Sequence, residues 1–358
     1  MTNNGRGQKE LPVVPGEKTA STDASDGAAG RTYIGAIQVT ELPIERRLGF
    51  LPADVLSLVY LGITTVVVLL GYGRLPHWGG WLAAHLALLG IVISLRWVPR
   101  RSYPVLQLVR ETYPLWLMPI AYRSIQDLSR LTTDRYFDDV VLRWDLALFS
   151  SHPHTWLMAA AGWPLLKEYL HFAYIVYQLL VPVLGLTLFF QKRFEALRVT
   201  ATTIVLTMYS CYLVFTFFPV LGPYYVFPRP EGSGVGLFPV LVERMLDAAA
   251  ARGTAFPSSH VAGSTAVALL AIRFSRRLSY ALILLAASIF VATVYGSFHY
   301  AIDAVVGLAF GICAALLGPR VHAWLVRRTR LHMIRFRYPN LRFRWRGRFR
   351  GERISPLE

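Results

Sequence analysis

The chain has 358 residues, a formal net charge of +16, 54% hydrophobic residues and only 16% charged ones. A soluble domain carries roughly 25% charged residues, so this balance, with a mean hydropathy of +0.42, excludes an ordinary soluble domain and points to a polytopic membrane protein. Nucleic acid is not expected as a partner, because nucleic-acid modules do not carry a series of apolar spans; basic residues gathered at one membrane face account for the charge instead.

Residues 1–45 are polar and rich in Gly, Ser, Thr, Asp and Ala. They lack a basic stretch followed by an apolar one, so they are predicted to be a disordered cytoplasmic tail rather than a signal peptide. Residues 46–130 hold the N-terminal transmembrane helices, with apolar runs at 53–71, 78–98 and 104–124. The third run contains Arg110 and Glu111. They either pair with each other inside a span or lay the helix in the interface. Counting it as a span keeps the first two oriented with their basic ends inside.

Residues 131–320 are expected to form the main membrane domain. It opens on a long external connection, 125–169, containing "DRYFDDVVLRWDLALFSSHPHTWL". Its apolar spacing predicts an amphipathic helix on the outer surface, around 136–150. His152 and His154 flank Pro153. They read as loop histidines, since two ligands without a third do not make a metal site. Further spans are predicted at 170–190, 197–218, 258–274, 279–297 and 300–318, about eight in all. The fold class is therefore an all-α polytopic membrane helix bundle. Cys211 and Cys313 lie in apolar runs and serve packing, not a disulfide.

With a cytoplasmic N-terminus, the short cytoplasmic connections carry Arg96, Arg100 and Arg101, then Lys192, Arg193 and Arg198, then Arg273, Arg276 and Arg277. Residues 321–358 form a basic aromatic cytoplasmic tail, "RFRYPNLRFRWRGRFRGERIS" within it, suited to anionic lipid headgroups. Both termini are then cytoplasmic, and the plasma (inner) membrane is the expected location.

Three external pieces carry the chemistry: "GPYYVFPRP" (222–230), "PSSH" (257–260) and "YGSFHYAIDAVVG" (295–307). From His260 the chain descends, turns at "RFSRRLSY" and climbs back to His299. Each leg covers about 25–30 Å at 1.5 Å per residue, so both histidines return to one face. Asp303 follows His299 by one helical turn and can hold one imidazole nitrogen while the other faces a substrate. This reads as a histidine nucleophile, His299, steadied by Asp303, with His260 protonating the leaving oxygen and then activating the acceptor. Ser258, Ser259 and the first N–H groups of the helix they open would hold phosphate oxygens, and Arg229 could clamp them. Each piece alone has a plainer reading: an N-capping serine, a structural His/Asp pair, a solvated loop arginine. Two rivals are a metallohydrolase using His260, His299 and Asp303 as a facial set, and a transporter or assembly protein using His299 and Asp303 as a proton relay.

At these residues the sequence resembles the type 2 phosphatidic acid phosphatase superfamily, known for Lys-x6-Arg-Pro, Pro-Ser-Gly-His and Ser-Arg-x5-His-x3-Asp. The second motif is Pro257-Ser258-Ser259-His260; the third keeps His299 and Asp303 with Ala292 and Thr293 in the Ser-Arg places; the first keeps Arg229-Pro230 with Gly222 in place of lysine. The resemblance implies a six-helix phosphatase-like core, His299 as nucleophile, Asp303 as its partner, His260 as general acid and base, and no metal or cofactor. A looser likeness, in "DDVVLRWDLALF" and "YLHFAYIVYQLLVP", is to the inositol phosphorylceramide synthase branch, which implies transfer of a lipid-linked phosphoryl group. The implied substrates are a lipid phosphate or phospholipid at the extracytoplasmic face, with an alcohol such as inositol or a ceramide-like lipid as acceptor. Arg252 or Lys167 is the candidate replacement for the missing cations, and fewer cations suit a phosphodiester.

Overall fold

A computed structural model describes residues 31–34, 37–40, 49–97, 104–160, 163–229 and 231–337. Most of the segment 1–45, Pro230, and the tail from residue 338 onward lie outside the described residues. Within the segment predicted to be a disordered tail, Arg31–Ile34 (β1) and Ile37–Thr40 (β2) pair antiparallel, Arg31 opposite Thr40 and Ile34 opposite Ile37. A two-residue connection with glycine first, Gly35-Ala36, is a hairpin signal that bulk composition hides.

The rest is helical, as predicted: α1 (Pro52–Leu70), α2 (Trp78–Ser94), α3 (Pro104–Thr132), α4 (Asp138–Phe149), α5 (Pro153–Ala160), α6 (Pro164–Phe190), α7 (Phe194–Phe217), α8 (Pro223–Val226), α9 (Leu237–Ala249), α10 (Ser259–Phe274), α11 (Arg276–Tyr295) and α12 (Ala301–Arg337). Among the described residues, six stretches are long and apolar enough to cross a membrane: Pro52–Leu70, Trp78–Trp97, Pro164–Phe190, Phe194–Phe217, Arg276–Tyr295 and Ala301–Arg328. The two short of the predicted eight are α3, which is too polar, and α10, which has 16 residues. Leu70, Trp116, Leu165 and Phe190 project outward, strongly exposed. A helix surface of this kind is stable where the surrounding solvent is lipid.

Arg110 and Glu111 are buried but do not pair with each other. Arg110 forms a two-pronged contact with Asp54 of α1 at 3.0 and 2.6 Å, and Tyr113 donates to the same carboxylate. Glu111 accepts two bonds from Arg198 of α7, at 2.7 and 2.5 Å. Adjacent residues on a helix point about 100° apart, so each charge meets a different neighbour, and α3 is fastened to both.

Helix α7 sits centrally and packs against α1, α3, α6, α10 and α12. Its threonine hydroxyls donate hydrogen bonds to the carbonyls four residues back, as at Thr200, Thr202, Thr203, Thr207 and Thr216. These hydroxyls are thereby satisfied within the helix itself. α10 lies against α12 at backbone distance. A side-chain carbon at Gly307 would stand 2.5 Å from the Ser258 carbonyl oxygen, and one at Gly311 would stand 2.6 Å from that of Ala262. Small residues permit that approach, and it brings the second and third motifs together.

Candidate active site

From His260, α10 carries the chain away from the site, α11 returns it, and the turn into α12 delivers His299. The two rings end with centroids 5.8 Å apart, inclined at 63°. The Ser258 N–H donates to the Asp303 carbonyl at 3.0 Å, joining the second motif to the third. The Phe298 and His299 N–H groups both donate to the Thr293 carbonyl at 3.0 Å, so the turn before α12 is fixed from within.

His299 and Asp303 are almost fully buried. His299 Nδ1 lies 2.7 Å from the Ala255 carbonyl oxygen and 3.6 Å from Asp303 Oδ2. A carbonyl only accepts, so Nδ1 carries the hydrogen and Nε2 keeps its lone pair. The carboxylate predicted to hold the imidazole thus stands just behind that bond, and the carbonyl makes it. Asp303 Oδ2 accepts the Tyr300 N–H at 2.8 Å, and its Oδ1 has no partner. His260 packs between Tyr174 (4.7 Å) and Tyr177 (4.6 Å), with its Nδ1 unpartnered.

Ser258 is the N-cap of α10: its hydroxyl oxygen accepts the Val261 N–H at 3.4 Å, and its carbonyl accepts that of Ala262 at 2.9 Å. The plainer of the two readings of this serine is the one its contacts describe. Ser259, also buried, begins the helix.

The cations are placed differently. Arg229 pairs with Glu243 of α9 and stacks over Tyr224 at 4.9 Å. Tyr224 in turn packs on Phe298, and Phe298 on Tyr174, the ring beside His260. Arg252 is exposed and lies over the Tyr225 ring at 5.6 Å. Lys167 donates to the Gly232 carbonyl at 2.9 Å.

Two of the departures from the family pattern, at Gly222 and Thr293, sit in close surroundings. Gly222 has φ +89°, and a side-chain carbon there would meet the Phe298 carbonyl oxygen at 2.9 Å and Ala255 at 3.0 Å. A lysine at that position is blocked by the backbone of the third motif. Thr293 is fully buried, and its hydroxyl donates to the Phe290 carbonyl at 2.9 Å.

Sequence reasoning placed an amphipathic helix over 136–150 but missed what it holds. On α4, Asp138, Val141 and Asp145 share the buried face. Asp138 accepts the N–H groups of Leu221 and Gly222, both at 2.9 Å, and the Tyr300 hydroxyl, also at 2.9 Å. Asp145 Oδ1 accepts the Ile302 N–H at 2.8 Å. One helix therefore clasps the loop of the first motif and the start of α12. The available signal was two acids seven residues apart on the stripe that should be apolar. His154, read as a loop residue, lies in α5 and is 2% exposed, against Phe227 and Tyr300. Among the described residues, no group of three His, Cys, Asp or Glu side chains is arranged to hold a metal ion.

Compared with known proteins, a family model described as the PAP2 superfamily matches residues 139–317. No curated protein and no solved structure gives a significant match. The matched stretch is half of the chain and runs from α4 into α12, across all three motif regions. A lipid-facing helical bundle that carries this stretch is an integral membrane protein, and the chain belongs to the PAP2 superfamily of phosphatase-type enzymes.

Proposed function

We propose that the chain transfers or hydrolyses the phosphoryl group of a membrane lipid through a phosphohistidine, at the extracytoplasmic end of the bundle. The observation that carries this is the paired imidazoles, 5.8 Å apart, one with Nδ1 committed to a carbonyl and Nε2 left free. Nε2 of His299 attacks phosphorus, the bond to the leaving oxygen breaks, and His260 supplies that oxygen's proton. An incoming hydroxyl then gives its proton to His260 while its oxygen displaces the His299 nitrogen from phosphorus. Asp303 stabilises the positive charge that His299 gains in the first step. With Val261 and Ala262 already bonded to Ser258, the Ser259 and His260 N–H groups remain for phosphate oxygens.

The orientation is supported by charge. Arg193 donates to the Phe274 carbonyl, and Arg276 and Arg277 open α11, all at the end of the bundle remote from the histidines. A phosphodiester fits better than a monoester, because Gly222 and Thr293 stand in the cation positions and Arg229 is already neutralised by Glu243. Transfer to an alcohol, as in the inositol phosphorylceramide synthase branch, follows the same chemistry with the alcohol in place of water. The lipid products of purified protein given labelled phospholipid, with and without inositol or a ceramide-like acceptor, are the test. Acid-labile label on His299 and a diester preference are expected. A strong monoester preference would overturn the diester reading, and unaltered turnover in His299→Ala would overturn the mechanism.

A further inference from the structure

Beside the histidine pair lies a second group of polar side chains that the chemistry above does not use. Asp145 is fully buried, and its Oδ2 has no hydrogen-bond partner. His152 Nδ1 lies 3.9 Å away, within ion-pair reach of that oxygen, and makes no hydrogen bond. Both ring nitrogens of His154, 2% exposed, are unpartnered as well. The two imidazoles are 5.9 Å apart between centroids. Buried polar atoms left without partners are costly, and four on three neighbouring side chains call for a common ligand.

The ligand's chemistry follows from the donors and acceptors. Burial pushes the His154 imidazole down to about 4, so at neutral pH it presents one N–H and one lone pair. Asp145 presents an acceptor. A phosphate would be repelled by the carboxylate, and the three side chains lack the arrangement of a metal site. A hydroxyl group, which both donates and accepts, matches the whole set. The rings of Phe227 and Tyr300 lie against His154 at 5.0 and 5.5 Å and offer apolar faces to the carbon side of a polyol. His152 is one-third exposed. The link to the phosphoryl chemistry is short: Asp145 accepts the Ile302 N–H, next to Asp303, and His154 lies against Tyr300, which follows His299.

We propose that Asp145, His152 and His154 form a subsite for the hydroxyls of an uncharged polyol, carried either on the donor lipid's headgroup or by a free acceptor. This rests on the phosphotransfer reading of His299 and His260. Two conservative variants test it: His154→Phe retains an aromatic ring against Phe227 and Tyr300, and Asp145→Asn retains an oxygen for the Ile302 N–H.

Kinetics compare phosphatidylglycerol with phosphatidylmethanol, diesters of equal charge that differ in headgroup hydroxyls, and add myo-inositol as acceptor with phosphatidylmethanol as donor. If the headgroup is the source, both variants raise KM for phosphatidylglycerol about tenfold, the worth of one hydrogen bond to the ligand, and leave phosphatidylmethanol unchanged. If the acceptor is the source, the rise is in KM for myo-inositol alone. Equal effects on all substrates, or none, overturn the subsite and leave a water-filled structural cluster. Binding is read separately in His299→Ala, which needs no turnover. Myo-inositol and glycerol should raise its unfolding temperature, and adding His154→Phe should abolish the rise. A rise that survives, or no rise with either polyol, overturns the subsite even if lipid turnover is confirmed. If lipid turnover fails but the His154-dependent rise is seen, the subsite stands and the phosphotransfer reading falls.

Discussion

Asp138 accepts the hydroxyl of Tyr300 at 2.9 Å across 162 residues of sequence. The same carboxylate takes the N–H groups of Leu221 and Gly222. Asp138→Asn would turn an NH2 group toward one of these donors and leave it unsatisfied. We expect a loss of about 1–3 kcal/mol, read as a lowered unfolding temperature in detergent, together with reduced turnover. Asp139→Asn, at an exposed position on the same helix, should be silent; equal effects from the two would remove the clasp from the account.

His299→Ala should leave almost no turnover, because no nucleophile remains. Asp303→Asn should be milder than the ~10⁴-fold loss of the serine protease triad, since the Ala255 carbonyl already fixes the His299 tautomer. Single-turnover rates decide: a loss of roughly 10²–10³ is expected, and a loss as complete as that of His299→Ala would mean that the carbonyl does not suffice.

Restoring the family's lysine should fail. Gly222→Lys places a side chain at φ +89° against the Phe298 carbonyl. Strain on the order of 1–3 kcal/mol should lower the unfolding temperature without increasing phosphomonoester turnover. A stable variant with higher monoester activity would show that the loop has room.

Glu243→Gln frees the Arg229 guanidinium of its partner carboxylate. Turnover of a monoester relative to a diester should rise several-fold, as one more cation becomes available to the extra phosphate charge. Arg229→Ala should abolish that gain. A ratio unchanged in Glu243→Gln would place Arg229 outside the substrate's reach.

The buried His154 has a sign that can be checked. Its folded value, pushed down to about 4 by burial and by nearby His152, lies below the ordinary 6.5. The unfolded chain therefore binds a proton first as the pH falls. Its contribution to stability is whole above pH 6.5 and is lost progressively toward pH 4. Burial raises Asp145, which pulls the opposite way, but Asp145 is common to wild type and His154→Phe. Wild type should therefore lose stability relative to His154→Phe as the pH falls across that window. A difference independent of pH would mean that His154 is hydrated.

Much of this was legible beforehand. The helical class followed from apolar runs of spanning length, and the meeting of His260 and His299 from two legs of similar length. What escaped was set by packing rather than pattern. Arg110 and Glu111 find partners on α1 and α7, which no local spacing reveals. Arg229 is paired to a glutamate 14 residues on, across a loop whose path the sequence does not fix. Ala255 offers only a carbonyl, a group every residue has, so its role could come only from coordinates. Asp138 and Asp145 were visible as acids on an apolar stripe, yet their partners lie 83 to 162 residues away.

The glycine seam between α10 and α12 has a bearing on how such a protein could diversify. With Gly307 and Gly311 seated against the opposing carbonyls, the reacting groups are mounted on a frame that tolerates little displacement. The stretch between the first two motifs is moored otherwise, by Glu168 to the start of α9 and by Glu243 to Arg229, contacts that single substitutions can rewrite. New lipid preferences can therefore arise in the moorings while the phosphoryl machinery stays untouched.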